Sequence, residues 1–172
     1  EKTLLIGSGL EMDLLEKEPS GRHRYMPNGG FPETREFLAA SLQKTVGLPF
    51  ETQDIIMCVG AGCGLNVMFK TLLNPGDEVM IMAPYFVEYQ TYLQQHQGVL
   101  KVVPTDENFM IDLDAVEAAM TAKTKVLLIN SPNNPTGIVY PQSLLDALGA
   151  LLQSKEKEWG HPIFLVSDEP YR

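Results

Sequence analysis

Residues 125–140 read KVLLINSPNNPTGIVY, an apolar run that ends in a stiff polar loop with two prolines and two adjacent asparagines. Uninterrupted apolar runs are typical of strands buried on both faces, whereas strands with one wet face alternate. Four further apolar runs predict strands at 54–60, 78–84, 99–105 and 162–169. Because helical patterns separate these runs, the sequence predicts an α/β fold, with three α/β/α layers around a mostly parallel sheet.

Helix signals fill most of the remaining chain. Periodic apolar positions and start or stop residues predict helices at 32–47, 62–74, 85–98, 112–121 and 140–159. Asp112 is predicted to cap the fourth of these helices. Residues 1–31 are rich in turn formers and predict an N-terminal loop with a short helix, so residues 32–172 are expected to form part of one large domain.

The acidic composition argues against some classes of partner. The 172 residues carry a net charge of −9 without a basic cluster, so nucleic acid and anionic membranes would be repelled. The apolar runs are far too short to span a bilayer. Cys58 and Cys63 match neither a zinc pair nor a disulfide framework, so we expect no metal and a cytoplasmic location. The absence of an initial Met and the abrupt end after a strand suggest a fragment.

The ends of the predicted strands are the expected place for a site, since ligands of parallel sheets bind beyond the carboxyl ends of the strands. Residues 60–64 read GAGCG, and backbone N–H groups there suit a phosphate, although the alternative is a simple tight turn. A dinucleotide site is disfavoured, because Leu65 replaces the last fingerprint glycine and Pro84 stands where a ribose-binding acid is expected.

Four side chains at these strand ends are candidates for contacts with a flat ligand. Asp168 either caps the next turn or pairs with a protonated ring nitrogen, because a buried carboxylate needs a partner. Tyr171 is either a packing aromatic or a hydrogen-bonding group in the same crevice. Phe86, next to Tyr85, either packs in the core or stacks on a ring. Asn134 lies in the stiff loop, whose two prolines exceed what a turn requires and suit an amide held in place.

Together these motifs resemble the class I/II aminotransferases, fold-type I enzymes that use pyridoxal 5'-phosphate (PLP), and in particular the aspartate-aminotransferase-like members. The likeness runs from about Tyr25 to Arg172 and rests on four strings in the family's order: YMPNGGFPETREFLA, LLNPGDEVMIMAPYFVEY, NSPNNPTGIVY and SDEPY. The resemblance implies transfer of an amino group between an α-amino acid and a 2-oxo acid, in a homodimer.

The resemblance also implies a role for each candidate around the cofactor ring. Asp168 would pair with the pyridine nitrogen and keep it protonated, so that the ring can act as an electron sink. Asn134 and Tyr171 would hydrogen-bond the phenolic oxygen of the ring, and Phe86 would stack on its face.

The same resemblance implies how the phosphate is bound. Ala61 and Gly62 would bind it, and Tyr25 would reach the phosphate of the cofactor in the partner subunit. The family usually has a serine or threonine near Gly62, so one side-chain hydroxyl is missing here while the backbone donors remain.

No catalytic residue is expected within this chain. The lysine that holds the cofactor covalently follows the SDEPY string in the family and is therefore expected beyond Arg172. Lys155 is rejected, because its helical pattern places it toward solvent and upstream of Asp168. Two alternatives stay open: a PLP-dependent C–S β-lyase or decarboxylase of the same fold, and a non-catalytic binding module that has lost the lysine.

Overall fold

The computed structural model describes residues 25–171, so most of the N-terminal segment predicted as loop and short helix lies outside the described residues. The chain forms two compact units, residues 1–58 and 59–172. In the first unit, helix α1 (Pro32–Val46) begins with a proline in its first turn and ends at Gly47, whose φ is +76°. A single 3₁₀ turn, Thr52–Asp54, follows. The domain boundary predicted between residues 31 and 32 stays a prediction.

The second unit is built around a four-stranded parallel sheet. Its strands lie in the order β2-β1-β3-β4, with bounds β1 (Glu78–Ala83), β2 (Val99–Pro104), β3 (Thr124–Asn130) and β4 (Phe164–Asp168). Four helices connect or precede the strands: α2 (Gly60–Leu72), α3 (Glu88–Gln95), α4 (Leu113–Ala119) and α5 (Gln142–Trp159). The predicted α/β fold with a parallel sheet is confirmed.

Each face of this sheet is covered by a separate core, because successive residues of a strand point to opposite faces. One core packs side chains of α2 and α3 against alternate residues of the two central strands, Val79, Ile81, Val126 and Leu128. The other packs α4 and α5 against the intervening residues, Met80, Met82, Leu127 and Ile129. The central strands β1 and β3 are therefore buried on both faces, whereas β2 and β4 at the sheet edges are partly exposed.

Two local features set the framework of the second unit. Asp112 caps α4 as predicted, since its Oδ1 accepts hydrogen bonds from the backbone N–H groups of Asp114 and Ala115 at 3.0 and 3.1 Å. The pairing of β3 with β1 is irregular at its start: Glu78 pairs with Thr124, but the next residue pairs with Val126, so Lys125 is an extra residue.

The strand predicted at 54–60 is absent, and this prediction was wrong. Asp54 belongs to the 3₁₀ turn, and residues 55–59 form neither helix nor strand. The guanidinium of Arg35 donates to the carbonyl oxygens of Ile55 and Thr52, both at 2.7 Å, and the Met57 N–H donates to the carbonyl oxygen of Gly29 at 3.0 Å. These bonds replace a strand ladder for this apolar run.

Within residues 25–171, no helix combines the length and the apolar character that crossing a bilayer requires.

Candidate functional site

A cavity of about 250 Å³ opens within the second unit, where β3 and β4 end and helices α2 and α3 begin. Six of the seven residues predicted from the sequence line it: Ala61, Gly62, Phe86, Asn134, Asp168 and Tyr171. The seventh, Tyr25, belongs to the first unit and its side chain is fully exposed. The structure thus brings together side chains that are more than 100 residues apart in the chain.

The carboxylate of Asp168, the last residue of β4, lines this cavity. Its side chain is largely buried, with the residue 9% exposed. The hydroxyl of Tyr89 donates to its Oδ2 at 2.6 Å, and burial together with this hydrogen bond raises the pKa of Tyr89 well above its usual value. Tyr89 therefore stays a neutral donor that supplies no positive charge.

Among the described residues, Asp168 has no ion-pair partner. A buried carboxylate without a cation is costly, because its charge has left water without an opposite charge in compensation. The cavity is consequently suited to a ligand that brings a positively charged N–H group to the Asp168 carboxylate.

Asn130, the last residue of β3, joins the two strand ends that carry the site. It is 5% exposed. Its Nδ2 donates to the backbone oxygen of Asp168 at 2.8 Å, and its Oδ1 accepts from the backbone N–H of Asn134 at 2.6 Å. One buried amide thus fixes the main chain at Asp168 and at the loop after β3.

The loop after β3 is folded on itself and presents Asn134 to the cavity. The Oδ1 atom of Asn133 accepts from the backbone N–H and the hydroxyl of Thr136, at 3.2 and 2.8 Å. The Nδ2 of Asn134 donates to the hydroxyl oxygen of Tyr171 at 2.9 Å. Because this hydroxyl acts as acceptor toward Asn134, its own proton is left for an oxygen atom of a ligand.

The N-terminus of α2 also lines the cavity, through Ala61 and Gly62. Val59 provides no side-chain cap for this helix, so the N–H groups of its first turn are open to an anion. A Cβ at Gly62 would lie 2.8 Å from the hydroxyl oxygen of Tyr92, so a larger residue here would displace the end of that side chain. That hydroxyl donates to the carboxylate of Glu88, which raises the pKa of Tyr92. Cys63 is exposed, and nothing in its surroundings assigns it a role.

Phe86 forms a flat wall of the cavity. Its ring is half-buried and packs edge-to-face against Tyr89, with centroids 5.5 Å apart and planes inclined by 79°. Phe86 therefore offers the cavity an aromatic ring on which a planar ligand can stack.

Among the described residues that line the cavity, none is a lysine. Lys155 lies on α5, where its Nζ pairs with Glu117 at 2.9 Å and with Glu158 at 3.1 Å. These pairs leave the Lys155 side chain only 17% exposed, so it is less open to solvent than its helical pattern predicts. The rejection of Lys155 as a site residue agrees with this position.

Sequence reasoning missed Tyr89 and Asn130, the two residues that hold Asp168. For Tyr89 the available signal was its spacing of three from Phe86, which places both in one turn at the start of α3. For Asn130 it was an amide at the end of an otherwise apolar strand. Neither signal identifies the hydrogen-bond partner.

Comparison with known proteins gives one consistent family. The family model described as "Aminotransferase class I and II" matches residues 10–172. The probable aspartate/prephenate aminotransferase of Thermus aquaticus is 41% identical over 153 residues, which cover 88% of this chain and 38% of that protein. The aspartate/prephenate aminotransferase of Thermus thermophilus is 40% identical with the same coverage. The chain therefore spans 38% of the length of these relatives.

Solved structures give the same result. A crystal structure of an amino transferase from Eubacterium rectale superposes with a TM-score of 0.86 at 38% identity, covering 93% of this chain and 42% of that one. The Thermus thermophilus aspartate aminotransferase with maleate superposes with a TM-score of 0.82 at 38% identity, covering 94% of this chain and 41% of that one.

Proposed function

Because this chain belongs to the class I and II aminotransferases, we propose that it supplies part of the active site of a PLP-dependent enzyme that transfers an amino group from an α-amino acid to a 2-oxo acid. The cavity fits the cofactor in its chemistry: a buried carboxylate for a ring N–H⁺, an aromatic ring, a pair of polar groups and an anion site. Relatives of this chain carry names with different substrates, among them aspartate/prephenate and asparagine, so the amino acid is proposed only as a class.

The single observation that carries this proposal is the buried carboxylate of Asp168, which has no cation among the described residues. A protonated pyridine nitrogen is a positive charge on a planar ring and meets this need. When bound, PLP supplies an electron sink for the electrons left by a broken bond at the substrate Cα. Asp168 supports that chemistry by keeping a proton on the ring nitrogen, since a nearby negative charge favours the charged form of a base.

The remaining residues bind and orient the ring. The Nδ2 of Asn134 and the hydroxyl of Tyr171, already paired at 2.9 Å, are placed to donate to the phenolic oxygen. Phe86 covers one ring face. The backbone N–H groups at Ala61 and Gly62 bind the phosphate at the N-terminus of α2, where the helix dipole adds to the hydrogen bonds.

Other parts of the proposal lie outside this chain. We assign the covalent lysine to a region of the longer protein that this sequence does not include, which agrees with the 38% coverage of the relatives. We also propose a cytoplasmic homodimer in which Tyr25, fully exposed in the described chain, contacts the phosphate bound by the partner subunit. Cell fractionation tests the location, and analytical ultracentrifugation of the full-length protein tests the dimer.

The main test uses the purified full-length protein with added PLP. We expect a cofactor absorption band near the edge of the visible range that borohydride reduction abolishes, and formation of a new amino acid when an amino acid and a 2-oxo acid are supplied together. A colourless protein that does not bind PLP would contradict the proposal. A coloured protein that releases thiol, CO₂ or ammonia without forming the new amino acid would instead be a lyase or a decarboxylase.

A further inference from the structure

Tyr89 contacts both Asp168 and Phe86, which form two different walls of the cavity. Its hydroxyl donates to Asp168 Oδ2 at 2.6 Å, and its ring meets Phe86 edge-to-face. Its backbone N–H donates to the carbonyl oxygen of Phe86 at 3.2 Å, so one turn of chain carries the aromatic wall and the hydroxyl together. With 1% of its surface exposed, Tyr89 is packed in the core between the sheet and its helices.

The hydrogen bond from Tyr89 gives the two carboxylate oxygens of Asp168 different roles. Oδ2 accepts from Tyr89, and no other described residue donates to either oxygen of the Asp168 side chain. Oδ1 is therefore left for a ligand. Asn130 holds the backbone of the same residue through its oxygen at 2.8 Å, so the orientation of the carboxylate is set at both its main chain and its side chain.

We propose that Tyr89 is a positioning residue, which aims Asp168 at the ring nitrogen of the cofactor and keeps the shared proton on that nitrogen. The inference rests on the proposed function. A hydrogen bond donated to a carboxylate favours its charged form, so a carboxylate that already accepts from Tyr89 competes less well for the proton of its ligand. Packing alone does not require the hydroxyl, because a phenylalanine would fill the same core.

Tyr140 offers a matched comparison within the same chain. It is also buried, in the core on the other face of the sheet, and burial raises the pKa of its hydroxyl. Its hydroxyl makes no hydrogen bond to the described residues, and it does not line the cavity of about 250 Å³. Tyr140→Phe thus removes a buried hydroxyl without changing Asp168.

The test compares Tyr89→Phe with Tyr140→Phe in the full-length protein. The dissociation constant of PLP is measured by absorbance titration, and the protonation of its ring nitrogen by the ¹⁵N chemical shift of ring-labelled PLP. A hydrogen bond to a charged group is worth about one to two powers of ten in an equilibrium constant. We expect Tyr89→Phe to weaken PLP binding by a factor in that range and to move the ¹⁵N signal toward the unprotonated position, while Tyr140→Phe matches the wild type.

Each outcome decides a different question. If the wild type binds PLP and both variants give the wild-type dissociation constant and ¹⁵N shift, the role of Tyr89 is refuted while the proposed function stands. If the wild type does not bind PLP, the proposed function falls and the inference falls with it. Should Tyr89→Phe fail to fold, 3-fluorotyrosine at position 89 keeps the shape and makes a stronger donor. The ¹⁵N signal must then move toward the protonated position, and an unchanged signal overturns the inference.

Discussion

Replacing Asp168 with asparagine removes one charge from the lining of the cavity and leaves the shape of the cavity unchanged. The amide oxygen can still accept from the Tyr89 hydroxyl, which lies 2.6 Å from Oδ2 in the native protein. The backbone oxygen of residue 168 still accepts from Asn130. We therefore expect Asp168→Asn to fold, and its cofactor-free form to be at least as stable as the wild type, because an unpaired buried charge has been removed.

The size of the functional effect follows from the charge and its burial. A unit charge about 4 Å from another is worth about 4 kcal/mol at the effective dielectric constant of about 20 that suits protein sites. That energy corresponds to about three pKa units at the ring nitrogen. The ring nitrogen should therefore hold its proton about a thousandfold less tightly. Near neutral pH, the protonated fraction of the bound ring and the rate of Cα proton loss should fall by up to that factor.

The assay is the release of deuterium from an α-deuterated amino acid in a single turnover by the full-length protein saturated with PLP. Asp146→Asn is the control, since Asp146 is exposed and, among the described residues, its side chain bonds only to Gln142 on the same helix. Urea unfolding of the cofactor-free proteins checks the fold. If Asp168→Asn exchanged deuterium as fast as Asp146→Asn at full PLP occupancy, the role given to the carboxylate would be wrong.

Three further predictions concern stability and the loop. Gly30→Ala should lower the free energy of unfolding by about 2 kcal/mol or more, measured in urea, because φ is +100° and the new Cβ would lie 2.3 Å from Met57 Cγ; an unchanged urea midpoint would contradict the packing described. Asn130→Ala should cost about 2–4 kcal/mol and speed amide hydrogen exchange at Asn134, since the buried backbone oxygen of Asp168 and the partly buried N–H of Asn134 lose their hydrogen bonds; exchange as slow as in the wild type would refute this. The pKa of Tyr89 is raised in the folded state, so the contribution of its hydroxyl to the free energy of unfolding is fully present below about pH 10. Above that pH the contribution is lost by about 1.4 kcal/mol per pH unit, because the unfolded chain releases the proton first. Urea unfolding at several alkaline pH values should show this slope in the wild type and not in Tyr89→Phe, and equal slopes would argue against it.

The sheet was predictable from sequence because its central strands are apolar on both faces. The runs that include Val79–Met82 and Val126–Ile129 are uninterrupted and buried, as is typical of strands in a parallel sheet that is covered on both faces. The run at 54–60 has the same appearance but a different outcome. Its backbone groups are satisfied in part by Arg35 from helix α1, and a local pattern cannot show such a distant donor.

The site was predictable to the extent that it follows from chain topology. Parallel strands end at the same edge, so the sequence alone predicts that Asn134 and Asp168 lie together. The residues that hold them were not predictable, because Tyr89 bonds across 79 residues and Asn130 across 38. Spacing along one helix or strand carries no information about such pairs.

The extra residue at Lys125 lies at the start of β3, and from Val126 to Asn130 the strand pairs without further irregularity. The length of that segment determines which side chains enter each core and how far Asn130 extends toward the ligand cavity. Deleting one residue from this segment would move each side chain on one side of the deletion to the opposite face of the sheet. Deleting two would leave every side chain on its own face but draw Asn130 back by about 6.6 Å. Natural variation in chain length is therefore expected at the entrance to this strand or in the surface connections, and none between positions 126 and 130.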